Sequence, residues 1–201
     1  MAKNQGHRER LLAAANKLVL RKGLSATRVD EICAEAEVTK GSFYHHFESK
    51  EDMATALLED FFGKLAGALS EGGWPDIRDA RKRLEAMLGR AVEVAEGPLL
   101  KNGCIMGILT VDMAETNNKV RRDLGNKFNA VVELVSPVIE AALSDAGAKP
   151  KTARDDSIAL GKHFIAVIEG GILLGKATRN REEVANSVRC FRRMVVAMLG
   201  S

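Results

Sequence analysis

The stretch that decides the fold is Val38-Thr39-Lys40-Gly41-Ser42-Phe43-Tyr44-His45-His46-Phe47, followed by Glu48-Ser49-Lys50-Glu51. Phe43 and Phe47 stand four apart and so share one face of a short helix. Thr39, Lys40, Ser42, Tyr44 and His45 cover the remaining surface with hydroxyls, a cation and a donor ring. That is the inventory of a helix that lies in a DNA major groove and touches base edges and phosphates together. His45 and His46, although adjacent, point about 100° apart on a helix and do not share a metal ion.

Charge around the stretch agrees. The 201-residue chain has a net charge of +3, and residues 1–50 alone hold nine Lys/Arg against six Asp/Glu. The excess positive charge therefore lies in the first quarter, beside the polar-aromatic stretch, on an otherwise neutral body. With 46% apolar and 28% charged residues, the composition is that of a globular protein with ample material for a core. Met1 to Gly6 shows no apolar signal core. The longest run without a charge is about ten residues, Asn102 to Val111, too short for a membrane span. Cys33, Cys104 and Cys190 are odd in number and widely spaced. They read as thiols in a reducing cytoplasm, without a disulfide framework or metal-ligand spacing.

Outward from the stretch, every long segment has helical periodicity. A helix from about Gly6 to Lys22 buries Leu11, Leu12, Ala15, Leu18 and Val19 and stops at Gly23. A second begins near Thr27, which is expected to cap it, and ends near Glu37. Thr39 caps the recognition helix, and Ser49 caps a long helix running to about Leu69. Gly72-Gly73-Trp74-Pro75 breaks the chain. Further helices are expected at about 76–96, 103–116, 117–146 (with Pro137 inside it), 152–178 and 181–199. Two short helices joined by a tight turn and preceded by a supporting helix make a helix-turn-helix.

Residues 8–62 resemble the TetR-type transcriptional regulators. The resemblance is carried by Ala14, Gly23, Ala26-Thr27, Val29, Ile32-Cys33-Ala34-Glu35-Ala36, the run Val38 to Phe47 and Ser49-Lys50-Glu51, with spacing intact over about 40 residues. Beyond this stretch only the number and lengths of the helices match. The resemblance implies an all-α fold of about nine helices. It divides into a helix-turn-helix DNA-binding head over 1–50, a connecting helix over 49–70, and a ligand-binding and dimerisation body over 51–201. It also implies a homodimer through the last two helices, double-stranded operator DNA as partner, and release by a small-molecule effector. At the matching positions, Thr27, Arg28 and Lys50 would hold phosphates, Thr39, Lys40, Gly41 and Ser42 would enter the groove, and Tyr44 and His45 would reach phosphate or base.

In the body, Cys104 follows Lys101-Asn102-Gly103 at a helix start, where a helix N-terminus and a lysine favour thiolate. An electrophile- or oxidant-sensing repressor acting through Cys104 is the alternative to release by a reversible ligand. Met106, Met113, Phe128, His163 and Phe164 are further candidates to line an effector cavity, for a mostly apolar or neutral ligand. Ile158, Ile165, Ile168 and Ile172 recur on one late helix, with Val184, Val188, Phe191, Val195 and Leu199 on the other, as in a symmetric four-helix interface. No Ser/His/Asp or Cys/His set has supporting motifs and no glycine loop is placed to cradle phosphate, so catalysis, a metal and a cofactor are not expected.

Overall fold

The structure is a computed structural model that describes residues 2–200, with side chains from residue 6 onward. The polar start, Met1 to Gly6, thus lies almost wholly outside the described side chains. Nine α-helices are described, with no strand among the described residues: α1 (Ala2–Lys22), α2 (Val29–Glu35), α3 (Lys40–His46), α4 (Lys50–Ser70), α5 (Ala80–Glu96), α6 (Ile105–Met113), α7 (Asn118–Asp145), α8 (Pro150–Thr178) and α9 (Glu183–Met198). Two compact units result. The first runs to Gly63 and includes Asn102–Leu124, while the second comprises Lys64–Lys101 and the chain from Gly125 onward. Two of the three boundaries fall inside helices, α4 and α7, and the third lies between α5 and α6.

In the first unit, Leu11, Ala15 and Val19 of α1, Ile32 of α2, Phe43 of α3 and Met53 and Leu57 of α4 are fully buried. Each large apolar side chain removed from water contributes about 1.5–3 kcal/mol. The turn between α2 and α3 is closed by two crossed hydrogen bonds, from the Val38 amide to the Cys33 carbonyl (3.0 Å) and from the Glu37 amide to Ala34 (3.2 Å). This is the pattern in which a helix ends on one left-handed residue. Glutamate occupies that position here, with Glu37 at φ 53°. Thr39 then caps α3, its hydroxyl accepting from the Ser42 amide at 3.2 Å. Ser49 accepts from the Asp52 amide at 3.0 Å to start α4.

Of the starts that differ from expectation, two have a cause visible in the hydrogen bonds. The second helix is capped at Arg28, one residue later than expected, because the Thr27 hydroxyl is turned inward and donates to the Gly23 carbonyl at 2.6 Å. The Glu31 carboxylate instead accepts from the Arg28 amide at 2.9 Å. The helix expected from Asp76 begins at Ala80, since Trp74–Asp76 forms one 3-10 turn and the Asp79 carboxylate caps α5 through the Lys82 amide. The Trp74 indole, buried, donates to the Leu69 carbonyl at 2.8 Å and fixes the corner.

In the second unit α9 packs on both α8 and α5. Glycine makes the α8–α9 approach close: a Cβ on Gly171 would lie 2.8 Å from the Val184 Cα and 3.1 Å from the Glu183 carbonyl oxygen, both backbone atoms of α9. The α8 helix is also long and apolar enough to cross a membrane by length and composition. Counting charge-free runs missed this, because Lys162 and Glu169 each interrupt an otherwise apolar sequence. Leu173 and Leu174 on α8 and Met194 and Met198 on α9 are exposed.

The Gly171 contact predicts the cost of one methyl group. Gly171→Ala forces α8 and α9 apart and lowers stability by about 1–3 kcal/mol, which differential scanning calorimetry reads as a fall of several degrees in Tm.

Candidate nucleic-acid interface

Seven residues cannot make a stable helix in water by themselves, so α3 is held from outside. Phe43 and Phe47 are buried, their rings 5.6 Å apart. The Arg8 guanidinium of α1 lies 5.6 Å from the centre of the Phe47 ring, within reach of cation–π attraction. His7 Nδ1 is hydrogen-bonded to the Ser42 hydroxyl at 3.1 Å.

With its apolar face committed, α3 presents Thr39, Lys40, Gly41, Tyr44 and His45 to the outside, while Ser42 is half-buried under His7. Tyr44 is 53% exposed and its ring meets Phe43 edge-on at 5.2 Å, so it projects from the helix on a fixed base. Lys40 pairs with Asp30 at 2.9 Å, both largely exposed, and that carboxylate raises the lysine pKa. An exposed pair of this kind contributes little and is readily exchanged. Nothing inside the protein demands glycine at position 41: a Cβ there would meet only the Thr39 hydroxyl, at an ordinary 3.8 Å. The freedom at Gly41 faces outward.

The second group gathers where α2 and α4 begin. Lys50 Nζ donates to the Leu24 carbonyl at 3.1 Å and the Thr27 carbonyl at 3.2 Å, leaving one N–H directed elsewhere. Thr27 is 1% exposed, so its hydroxyl belongs to the interior, while Arg28 is exposed. Glu31, bound by Lys22 at 2.7 Å and by the Arg28 amide, has its carboxyl pKa lowered by those contacts, Lys22 first.

Two participants escaped sequence reasoning. One is His7, which looks like any polar residue near the start of a helix. The other is Asp112 of α6, whose Oδ2 accepts from the Leu24 amide at 2.7 Å and the Ser25 amide at 3.2 Å. Gly23 permits this approach, with φ +83° and room for a Cβ only 3.1 Å from that oxygen. A signal for Asp112 did exist: it is the single charge in the nine-residue apolar helix Ile-Met-Gly-Ile-Leu-Thr-Val-Asp-Met.

The effector candidates divide between the units. Cys104 stands at the N-cap of α6, one residue before the helix proper, and is 4% exposed, with Met106 and Met113 buried on the same helix. Phe128, His163 and Phe164 belong to the second unit, where Phe164 is buried and His163 is exposed, its ring 5.8 Å from that of Phe191. Burial pushes the Cys33 thiol pKa up, with Asp30 adding to the effect, and Cys190 is exposed. Among the described residues no group of three or more His, Cys, Asp or Glu is placed to hold a metal ion.

His46 supplies a test. Its Nε2 is buried without a hydrogen-bond partner. Burial, followed by the positive charges of His45, His7 and Arg8, holds its pKa below the ordinary 6.5. The unfolded chain therefore takes up the proton first as pH falls, so this contribution to stability is complete above about 6.5 and is lost progressively below it. His46→Gln is expected to flatten that part of the pH dependence, measured as urea midpoints between about pH 7 and 5.

The comparison with known proteins follows this geometry. The family described as bacterial regulatory proteins, tetR family, matches residues 11–57, and the tetracyclin repressor-like C-terminal domain matches residues 80–191. The HTH-type transcriptional repressor DhaR of Mycobacterium sp. (strain GP1) is 31% identical over 179 residues, 87% of this chain and 85% of that protein. The HTH-type transcriptional repressor NemR of Escherichia coli (strain K12) is 30% identical over 137 residues, 66% and 67% of the two chains. The crystal structure of regulatory protein TetR from Rhodobacter sphaeroides superposes with a TM-score of 0.74 at 27% identity, covering 92% of this chain and 96% of that one. Matched in both its head and its C-terminal region, and along most of its length by a full-length relative, the chain belongs to the TetR family of bacterial regulatory proteins and is a helix-turn-helix transcriptional regulator.

Proposed function

We propose that the protein is a homodimeric cytoplasmic repressor that reads a near-palindromic operator with α3 of each protomer and is released by a small-molecule effector. The observation that carries this reading is the division of α3 into a buried aromatic face and an outward face of Thr39, Lys40, Gly41, Tyr44 and His45. Residues 1–50 serve as the head, with α4 as the connecting helix, and 51–201 serve the ligand and the dimer. Arg28 and the remaining N–H of Lys50 contact phosphate beside the start of α2, whose own amides add to the attraction. Thr27 contributes through its position and its backbone. Both DhaR and NemR are named repressors, which supports repression.

Dimerisation through α8 and α9 accounts for Leu173, 71% exposed, and Leu174, 53% exposed, together with Ile158, Met194 and Met198. Large apolar side chains on two adjacent helices mark an interaction face. It also accounts for the membrane-like composition of α8, which on this reading covers itself with a second copy. A dimer reads two half-sites about 34–36 Å apart, or a multiple of that spacing.

Release requires a population shift between head arrangements, and a hundredfold loss of affinity corresponds to about 2.7 kcal/mol of differential binding. Two elements support the transmission of such a shift: α4, which leaves the head, and α6, whose Asp112 carboxylate holds the turn before α2. Modification of Cys104 would act on the same α6 helix. Its burial to 4% exposure favours a reversible ligand over a thiol reagent as the trigger.

Lys40→Ala and Tyr44→Ala are each expected to weaken operator binding by about 1–3 kcal/mol in gel-shift titrations, with dimer mass and thermal midpoint unchanged. A loss of folding instead would place these side chains in the core and overturn the reading of α3. Asp112→Ala is expected to speed hydrogen exchange at the Leu24 and Ser25 amides by about tenfold or more, the loss of a charge-assisted bond, and to weaken the operator complex. Unchanged exchange would remove α6 from the route.

A further inference from the structure

The flank of α9 turned toward α5 forms an open groove of about 580 Å³, a volume in the range of small-molecule clefts. Its construction is regular. Arg81, Glu85 and Gly89 recur every four residues along α5, and Arg192, Val196 and Gly200 recur every four along α9 and its end, so each set forms one stripe. The stripes run antiparallel. Arg81 donates across the groove to the Gly200 carbonyl at 2.8 Å, and at the other end the Arg192 guanidinium lies 3.9 Å from where a Cβ on Gly89 would stand. Val196 and Ala197 line the space between, with Arg193 beside them. The groove exists because glycine, alanine and valine occupy positions where longer side chains would fill it.

Its charge is unbalanced. Arg81 is paired with Glu85 at 3.2 Å, whereas Arg192 and Arg193 have no ion-pair partner among the described residues. Two guanidinium groups are thus left over a concave, partly apolar surface. Isolated surface arginines are ordinary, but here both border one cleft; they leave α9 about 100° apart, yet the arginine side chain is long enough for both forks to reach one phosphate or carboxylate, whose oxygens they match in pairs. The stripe that faces α5 is distinct from the exposed methionines, since Met194 and Met198 stand two residues from Arg192, Val196 and Gly200, about 200° around the helix; Arg193 and Ala197, one residue from those methionines, form the outer edge of the groove.

We propose that the α5–α9 groove is a binding site for a small amphipathic anion, its phosphate or carboxylate held by Arg192 and Arg193 and its apolar body lying along Val196 and Ala197. The site requires neither operator DNA nor the α8–α9 apolar face. Glu85, already neutralised by Arg81, remains available to accept a hydrogen bond from a hydroxyl on the ligand.

The test is calorimetric titration of the full-length protein with 1-naphthyl phosphate, alongside 1-naphthol and inorganic phosphate. The ester is expected to bind at one site per chain, about tenfold or more tighter than either fragment, because the charged head and the apolar body are recognised together. Arg192→Gln combined with Arg193→Gln is expected to weaken it by about tenfold or more, the loss of both charge-assisted forks, with the thermal midpoint retained. Ala197→Phe, which keeps every guanidinium but fills the groove at a lining position, is expected to weaken it as well. No saturable binding, equal binding by the double variant or by Ala197→Phe, or inorganic phosphate binding as tightly as the ester would each overturn the proposal.

Discussion

A seven-residue helix has too few internal hydrogen bonds to pay for its own nucleation, and the arrangement of the first unit follows from that constraint. The α3 helix holds its shape because α1 and α2 form a surface for it to rest on, with Phe43 and Phe47 as its buried side chains. Thr39 supplies the cap, Arg8 covers the Phe47 ring and His7 ties down Ser42. A reading element held this way can leave every remaining side chain to the outside. That explains how so short a segment carries so many exposed polar groups without losing its conformation.

Much of this was legible in the sequence, for identifiable reasons. Helices α3 and α4 announce themselves through the Thr39 and Ser49 caps, and the inner faces of α1 and α4 through apolar spacing, because these are local rules acting within one or two turns. The start of α2 was misplaced by one residue for a non-local reason. Thr27 has the chemistry of a cap, yet its neighbours draw the hydroxyl inward to Gly23. The beginning of α5 was misread because Pro75 allows a 3-10 turn to precede a new cap at Asp79.

The site divides along the same line. The outward placement of Thr39, Lys40, Gly41, Tyr44 and His45 was readable because one helix displays them together. Lys50 reads as a phosphate-holding cation at a helix start, and only the structure shows its ammonium bracing the Leu24 and Thr27 carbonyls. The Leu24–Asp112 bond joins residues far apart in the chain, and no periodicity can reveal such a pairing. The apolar stripes of α8 and α9 were visible, but Val184, Val188, Phe191, Val195 and Leu199, expected at a two-fold interface, are buried within the chain against α8 and α5. Their partition into a buried set and an exposed set depends on where Gly171 lets the two helices meet.

The Asp112 bond bears on how such regulators are recombined. Anyone grafting the DNA-reading segment onto a foreign body would naturally cut within α4, where the sequence signature fades. The cut leaves α6 behind, and with it the carboxylate that receives the Leu24 and Ser25 amides. The recipient must then offer an acceptor at the same place, or the transplanted turn faces the graft with two donors unmet. Compatibility of parts in a chimeric regulator therefore includes a single oxygen atom contributed by α6, far along the chain from the helix-turn-helix.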